Sequence, residues 1–315
     1  MNQPGDRLII ENRYVTLSRP AQGDVCIPDT KEIHVLPILF GLFSALSWGS
    51  GDFAGGLASR KLGAYRAVFW ADLLGLLIIL PIAAIYWEPV PAVEILVNSS
   101  IGGALGSVGL LVLYYSLTVG KMSIAAPVSA LFAALLPVIV GLFTQGLPTL
   151  QQFAGFGFAL AAVWLTSQGH SDEKFQIKHL ADLRLPILAG IGFGCYFIFV
   201  HYASKDSGSI IWTMIASRIA GTLLLWIVVL ARRESFSVQR DAWLVVFFNA
   251  TLDLAGNFFY ILASQAGRLD VSAVLSSLFP GSTIILAWIV LKERITRVQA
   301  IGIALALTAI VLFTI

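Results

Sequence analysis

The sequence predicts an all-α polytopic membrane protein, with ten transmembrane helices in two inverted repeats of five. Three observations carry that prediction. Of 315 residues, 57% are apolar and 12% charged, against roughly 45–50% and about 25% in soluble domains. Apolar runs long enough to cross a bilayer follow one another with short polar connections. The second half of the chain also echoes the first, and the echo keeps a constant offset across the last two spans of each half.

The charges are unevenly spread. Nine of the 38 lie in the first 34 residues, which leaves 29 for the other 281, too few to solvate a folded surface of that size. A mean hydropathy of +0.84 with a net charge of +2 excludes a disordered chain, and no basic patch points to a nucleic-acid partner. The two cysteines, Cys26 and Cys195, supply neither a disulfide framework nor a Cys-rich metal site.

A bilayer core needs about 20 apolar residues per helix. Ten runs meet that length, near 35–57, 64–87, 95–118, 123–143, 150–168, 185–204, 209–231, 242–264, 271–291 and 297–315. Backbone polar groups must be paired within lipid, and runs of this length without period-2 alternation read as helices rather than barrel strands. Residues 1–34 lack the basic, apolar and small-residue succession of a signal peptide and read as a polar, disordered tail. The chain then divides into a first repeat at 35–168, a loop at 169–184 and a second repeat at 185–315.

The repeat is legible in residues. Leu36-Pro37-Ile38-Leu39 with Gly41 recurs as Leu185-Pro186-Ile187-Leu188 with Gly190, and Gly120-Lys121-Met122-Ser123 answers to Gly267-Arg268-Leu269-Asp270. Thr149, Gln152, Gly155 and Ala159 answer to Thr296, Gln299, Gly302 and Ala306 at an offset of 147. Five spans per half is an odd number, so the second copy enters the bilayer from the opposite side. Such inverted repeats build a midplane site that opens alternately to either face.

A loop with Gly267-Arg268, then Ser-Ser-Leu-Phe-Pro at 276–280, an apolar span ending in Leu291-Lys292-Glu293-Arg294, then Gln299 and Gly302 resemble the EamA-type domain of the drug/metabolite transporter superfamily, present twice. Trp48-Gly49-Ser50 and Ser217-Arg218 are similar to its pattern as well. The resemblance covers about 35–315. The first half departs from it with Gln145-Gly146-Leu147 where the second has Lys292-Glu293-Arg294. The tail is longer than the family usually carries, which leaves room for a native start downstream of Met1. The resemblance implies export or uptake of amino acids, nucleotide-related compounds, sugars or drugs.

Two warrants for orientation conflict. The loops after spans 1, 3, 5, 7 and 9 hold 13 Lys and Arg, against 6 on the other side, which places both termini outside. The family's usual arrangement implies termini inside.

A charge at membrane depth costs about 2.5–3.5 kcal/mol on insertion scales, so each one needs a reason. Asn249, Asp253 and Asn257 recur at i, i+4 and i+8, and Tyr260 and Ser264 continue the stripe, which predicts a polar face through the eighth span. At the repeat offset Asn249 and Asp253 correspond to Gly102 and Gly106 of the third span. A cavity between spans 3 and 8 accounts for both; the alternative is a protonated acid within the bundle opposite a small-residue packing face. Asp52 and Trp48 lie on one stripe of the first span, and Asp52 aligns with His201 of the sixth. Acid and imidazole at equivalent positions suggest a proton relay, or two residues that face water at helix ends. Asp72 and Arg218 are also equivalent and of opposite sign, which suggests a structural or gating ion pair; an unpaired Arg218 would suit a substrate carboxylate or phosphate. Pro127, Pro137 and Pro280 kink spans 4 and 9, where Ser272, Ser276 and Thr283 offer hydroxyls.

No catalytic motif is present. Gly190-Ile191-Gly192-Phe193-Gly194 lies in an apolar span, where helix packing explains it better than a nucleotide loop. The expectation is a multi-pass integral membrane protein, of the inner membrane in a bacterium, that is not an enzyme. It is a secondary transporter of a small metabolite, working by alternating access around spans 1, 3, 4, 6, 8 and 9. Asp253, Asn249, Asn257, Tyr260, Trp48, Asp52, His201 and Ser276 are its candidate substrate or coupling residues. The expected partners are a small-molecule substrate, the lipid bilayer and a coupling proton, with no cofactor, no metal and no nucleic acid. The rival expectation is an intramembrane lipid-modifying enzyme or a scaffold without a solute path.

Overall fold

Helices of one half pack mainly on helices of the other. The computed structural model describes residues 7–11, 14–18, 25–28, 30–86, 88–119, 122–166, 183–291 and 296–314. Residues 169–182 of the expected inter-repeat loop lie outside these, as do Gly120, Lys121, Lys292, Glu293 and Arg294 of the quoted motifs. In the segment read as a polar tail, β1 (Arg7–Glu11), β2 (Tyr14–Ser18) and β3 (Val25–Pro28) pair as an antiparallel meander, with Ile9 opposite Thr16 and Thr16 opposite Cys26. Their Val, Ile, Thr and Tyr content suits a pleated strand.

From Thr30 onward the described chain is helical. The first half comprises α1 (Thr30–Leu62), α2 (Ala64–Ile85), α3 (Val93–Val119), α4 (Met122–Thr144) and α5 (Leu150–Thr166). The second comprises α6 (Arg184–Ser207), α7 (Ile211–Ala231), α8 (Trp243–Ala266), α9 (Leu269–Ser276), α10 (Phe279–Leu291) and α11 (Arg297–Thr314). Seven helical segments are long and apolar enough to cross a membrane, one of them α9 and α10 taken together, and three shorter apolar helices complete the ten runs. Large apolar side chains such as Leu77, Leu223, Ile227 and Phe248 stand exposed on the outer surface, which a bilayer covers.

The ninth run, expected as one kinked span, is two helices. Pro280 has no N–H to donate, and its ring would collide with the carbonyl four residues back, at Ser276. The first helix therefore stops at Ser276, and Pro280 sits in the opening turn of α10, where a missing N–H leaves no bond unmade. Tight turns separate other spans. Gly63, between α1 and α2, has φ 83°, and Gly208, at φ 65°, ends α6 with its N–H on the Ser204 carbonyl at 2.9 Å. Opposite that cap, Glu88 accepts from Ser209 Oγ at 2.6 Å and from the Ile211 N–H at 3.2 Å. A carboxylate there suits the positive end of α7.

The packing repeats when the halves are exchanged. Helix α1 lies on α8 as α6 lies on α3, α1 lies on α9 and α10 as α6 lies on α4, and α2 meets α8 as α7 meets α3. Elements at equivalent positions also pair with each other: α2 with α7, α4 with α9, and α5 with α11. The glycine run of α6 serves this packing. Gly190 and Gly194 approach Ser129 and Leu136 of α4, and Gly192 approaches the backbone of Leu105 and Gly109 on α3.

Candidate functional site

Where the two halves meet, a cavity of about 80 Å³ is lined by residues of α1, α2, α3, α6, α7, α8 and α10. Among the described residues no side chain of α4, expected in the wall, contributes to it; α2 and α7 do, through Asp72 and Arg218. Close backbone contacts build the wall. Gly103 of α3 lies against the backbone of Ser217 on α7, and Gly256 of α8 lies against the indole of Trp48, so a Cβ at either glycine would collide. Ser44 of α1 donates to the Gly256 carbonyl at 2.9 Å, while Ser282 and Thr283 of α10 donate to the Ala45 and Gly49 carbonyls at 2.8 and 2.9 Å. These bonds fix α1, and with it Trp48 and Asp52, against the second repeat.

Arg218 is the centre of the charged wall. Its Nη1 donates to Asp72 Oδ1 at 2.5 Å and its Nη2 to Asp253 Oδ2, so one guanidinium joins α2, α7 and α8. The side chains of Arg218, Asp72 and Asp253 are 7%, 4% and 17% exposed, so the network is largely dry. Ser107 of α3 donates to Asp72 Oδ2 at 2.5 Å. Asn257 donates to the backbone carbonyl of Asp253 at 2.6 Å and to its carboxylate at 3.2 Å, and itself accepts from the Tyr196 hydroxyl. Asp52 also lines the cavity, hydrogen-bonded to Tyr114, whose hydroxyl accepts from Asn249 at 3.5 Å.

The structure thus brings Trp48, Asp52, Asp72, Arg218, Asp253 and Asn257 to one cavity. It does not bring the other candidates there. Tyr260 is fully buried behind the wall; its hydroxyl donates to the Phe197 carbonyl at 2.7 Å and its ring packs on Phe197 and Trp48. Asn249 reaches the cavity only through Tyr114, and Ser276 is buried at the end of α9 with no partner for its hydroxyl. His201 is buried elsewhere: its Nδ1 faces Ser264 Oγ at 2.5 Å and its Nε2 faces the Gln145 side chain at 3.0 Å. Asp52 and His201 are therefore not neighbours. Of the paired glycines, Gly106 lines the cavity, whereas Gly102 turns to Phe199 and Val200 of α6.

Sequence reading also missed part of the wall. Phe193, Tyr196 and Phe197, spaced i, i+3 and i+4 on α6, share one helical face and supply most of its aromatic surface. That spacing was a usable signal. Ser107 had none, because its role depends on where Asp72 lies. Among the described residues no three His, Cys, Asp or Glu side chains lie together as a metal site would require.

Comparison with known proteins agrees with this architecture. A solved crystal structure superposes with a TM-score of 0.71 over 88% of this chain and 95% of its own, at 15% identity, which is a likeness of fold alone. An uncharacterized protein of Methanocaldococcus jannaschii is 25% identical over 131 residues, 42% of this chain and 94% of that protein. The model of the EamA-like transporter family matches twice, at residues 35–168 and 183–315. The chain therefore belongs to the EamA-like transporter family and is a multi-pass membrane transporter.

Proposed function

We propose that this protein is a secondary transporter that moves a small metabolite by alternating access, with the cavity between α3 and α8 as its binding site and protons as its coupling ion. One observation carries the reading: Arg218 is shared between Asp72 of the first repeat and Asp253 of the second, at the wall of a cavity between them. A guanidinium has several donors in a planar fork, so it can hold two carboxylates at once or release one while it keeps the other. A solute or a proton on Asp253 weakens one arm of that bridge, and the helices it joins become free to move relative to one another. Binding at the midplane is thereby linked to which face of the bundle is open, the coupling that alternating access requires.

Asp253 is the acid best placed for this exchange. It is the most exposed member of the network, and without it Arg218 still holds Asp72. Replacement Asp253→Asn is accordingly expected to leave expression and folding intact and to abolish counterflow of a labelled metabolite mixture in proteoliposomes, or to remove its pH dependence. A fully active variant with unchanged pH dependence would sink the assignment.

A further inference from the structure

The cavity wall is unbalanced in charge and in hydrogen bonding. Among its described residues three carboxylates, Asp52, Asp72 and Asp253, face one cation, Arg218, whose two terminal nitrogens both engage carboxylates already. Several neutral donors are engaged too. Ser107 donates to Asp72, Ser217 donates to the Ser99 and Thr213 carbonyls at 2.9 and 2.8 Å, Tyr196 donates to Asn257, and Asn257 donates to Asp253. Asp52 has Tyr114 as its donor and no cationic partner among the described residues.

What such a wall offers a solute is chiefly carboxylate oxygens and aromatic rings. The rings are held in place before any solute arrives: Trp48 packs 5.5 Å from Phe197 and 6.3 Å from Tyr196, centroid to centroid, with its indole edge against Gly256. Aromatic faces attract cations, most strongly where water is excluded. An anionic solute would share one guanidinium with Asp72 and Asp253 and would meet Asp52 besides. A cation supplies the positive charge that the wall lacks.

We propose that the cavity selects a compact organic cation, an ammonium group on an apolar or aromatic body, seated between Asp52 and the faces of Trp48 and Tyr196. This rests on the transporter reading above and narrows it to a substrate class.

Three probes of similar shape test the charge preference: phenethylamine, 2-phenylethanol and 3-phenylpropionate, measured by equilibrium binding to the protein in lipid nanodiscs against empty nanodiscs. Phenethylamine is expected to bind at least tenfold more tightly than either of the others. Asp52→Asn is expected to erase most of that preference and Asp52→Glu to restore it. Equal or tighter binding of 3-phenylpropionate, absence of phenethylamine binding, or a preference that survives Asp52→Asn overturns the proposal. The transporter reading fails separately: if the metabolite mixture shows counterflow of anionic or neutral solutes, transport stands and the cation assignment falls, whereas no counterflow of any solute removes both.

Discussion

Two arginine–aspartate clusters of this protein use the same residue types in opposite surroundings. Arg218 sits among transmembrane helices, and its partners Asp72 and Asp253 come from two other helices, one in each repeat. Arg268 sits in the turn between α8 and α9; it holds Asp270, two residues away, at 2.7 Å, and donates to the carbonyls of Gln145 and Gly146 at 3.0 and 2.9 Å. The Arg268 side chain is 28% exposed. The first cluster is, among the described residues, the one ion-paired link between its helices, and it is largely dry. The second ties one turn to another, and water reaches its arginine, although Asp270 itself is buried. Depth, rather than residue type or bond length, decides how much depends on each arginine.

Removing Arg218 tests the deep cluster and carries the largest expected effect. Arg218→Gln leaves two carboxylates facing each other without a counter-ion, a situation that costs about 3–5 kcal/mol when one partner of a buried pair is lost. The variant is expected to be poorly expressed or to melt far below the parent protein in detergent, and to show no counterflow. Arg218→Lys keeps the charge but not the fork, so it is expected to recover part of the melting temperature and little of the transport. If Arg218→Gln melts with the parent, the contrast between the clusters is wrong.

The same contrast explains what the sequence could disclose. The spans were legible because bilayer thickness imposes a length on each apolar run. Asp72 and Arg218 were legible as a pair because they occupy equivalent positions, and the structure joins them. Asp52 and His201 are equivalent too, yet lie apart. An axis in the membrane plane carries a residue above the midplane to a place below it, so only residues close to the midplane can meet their counterparts. The alliance of Asp253 with Arg218 breaks the repeat pattern, since it is made between two helices of the second half, and no offset in the sequence encodes it. The break at Pro280 was legible as a kink but not as two helices, because Pro37 and Pro81 lie inside continuous helices of the same bundle. Tertiary packing decides which proline ends a helix.

The outer cluster is expected to respond more mildly. Hydrogen bonding to Asp270 holds the Arg268 guanidinium above its usual range. A raised value means that its contribution is complete at every pH below the ordinary arginine value and is lost only as pH climbs through the folded one. The clamp therefore has no pH dependence in the physiological range. Arg268→Ala takes a partly exposed arginine from a buried carboxylate that keeps the Val271 N–H as a donor, so it is expected to lower stability by about 1–3 kcal/mol, less than Arg218→Gln, with a modest fall in melting temperature and counterflow retained. A loss as large as that of Arg218→Gln would show that the loop clamp, and not the midplane, holds the repeats together.

The smallest effect belongs to Lys61 and Asp241, a third pair of the same kind, which joins the end of α1 to the short turn Arg240–Ala242 ahead of α8 at 2.6 Å. Its bond is nearly as short as the 2.5 Å of Arg218 to Asp72, but its side chains are 40% and 65% exposed. Solvent and salt screen such a pair, and ordering two mobile side chains offsets most of the attraction that remains. Lys61→Ala is expected to leave the melting temperature unchanged within error, at low salt as at high. A clear fall that disappears on adding salt would show that this end of the bundle depends on electrostatics after all, and that exposure alone does not rank the three pairs.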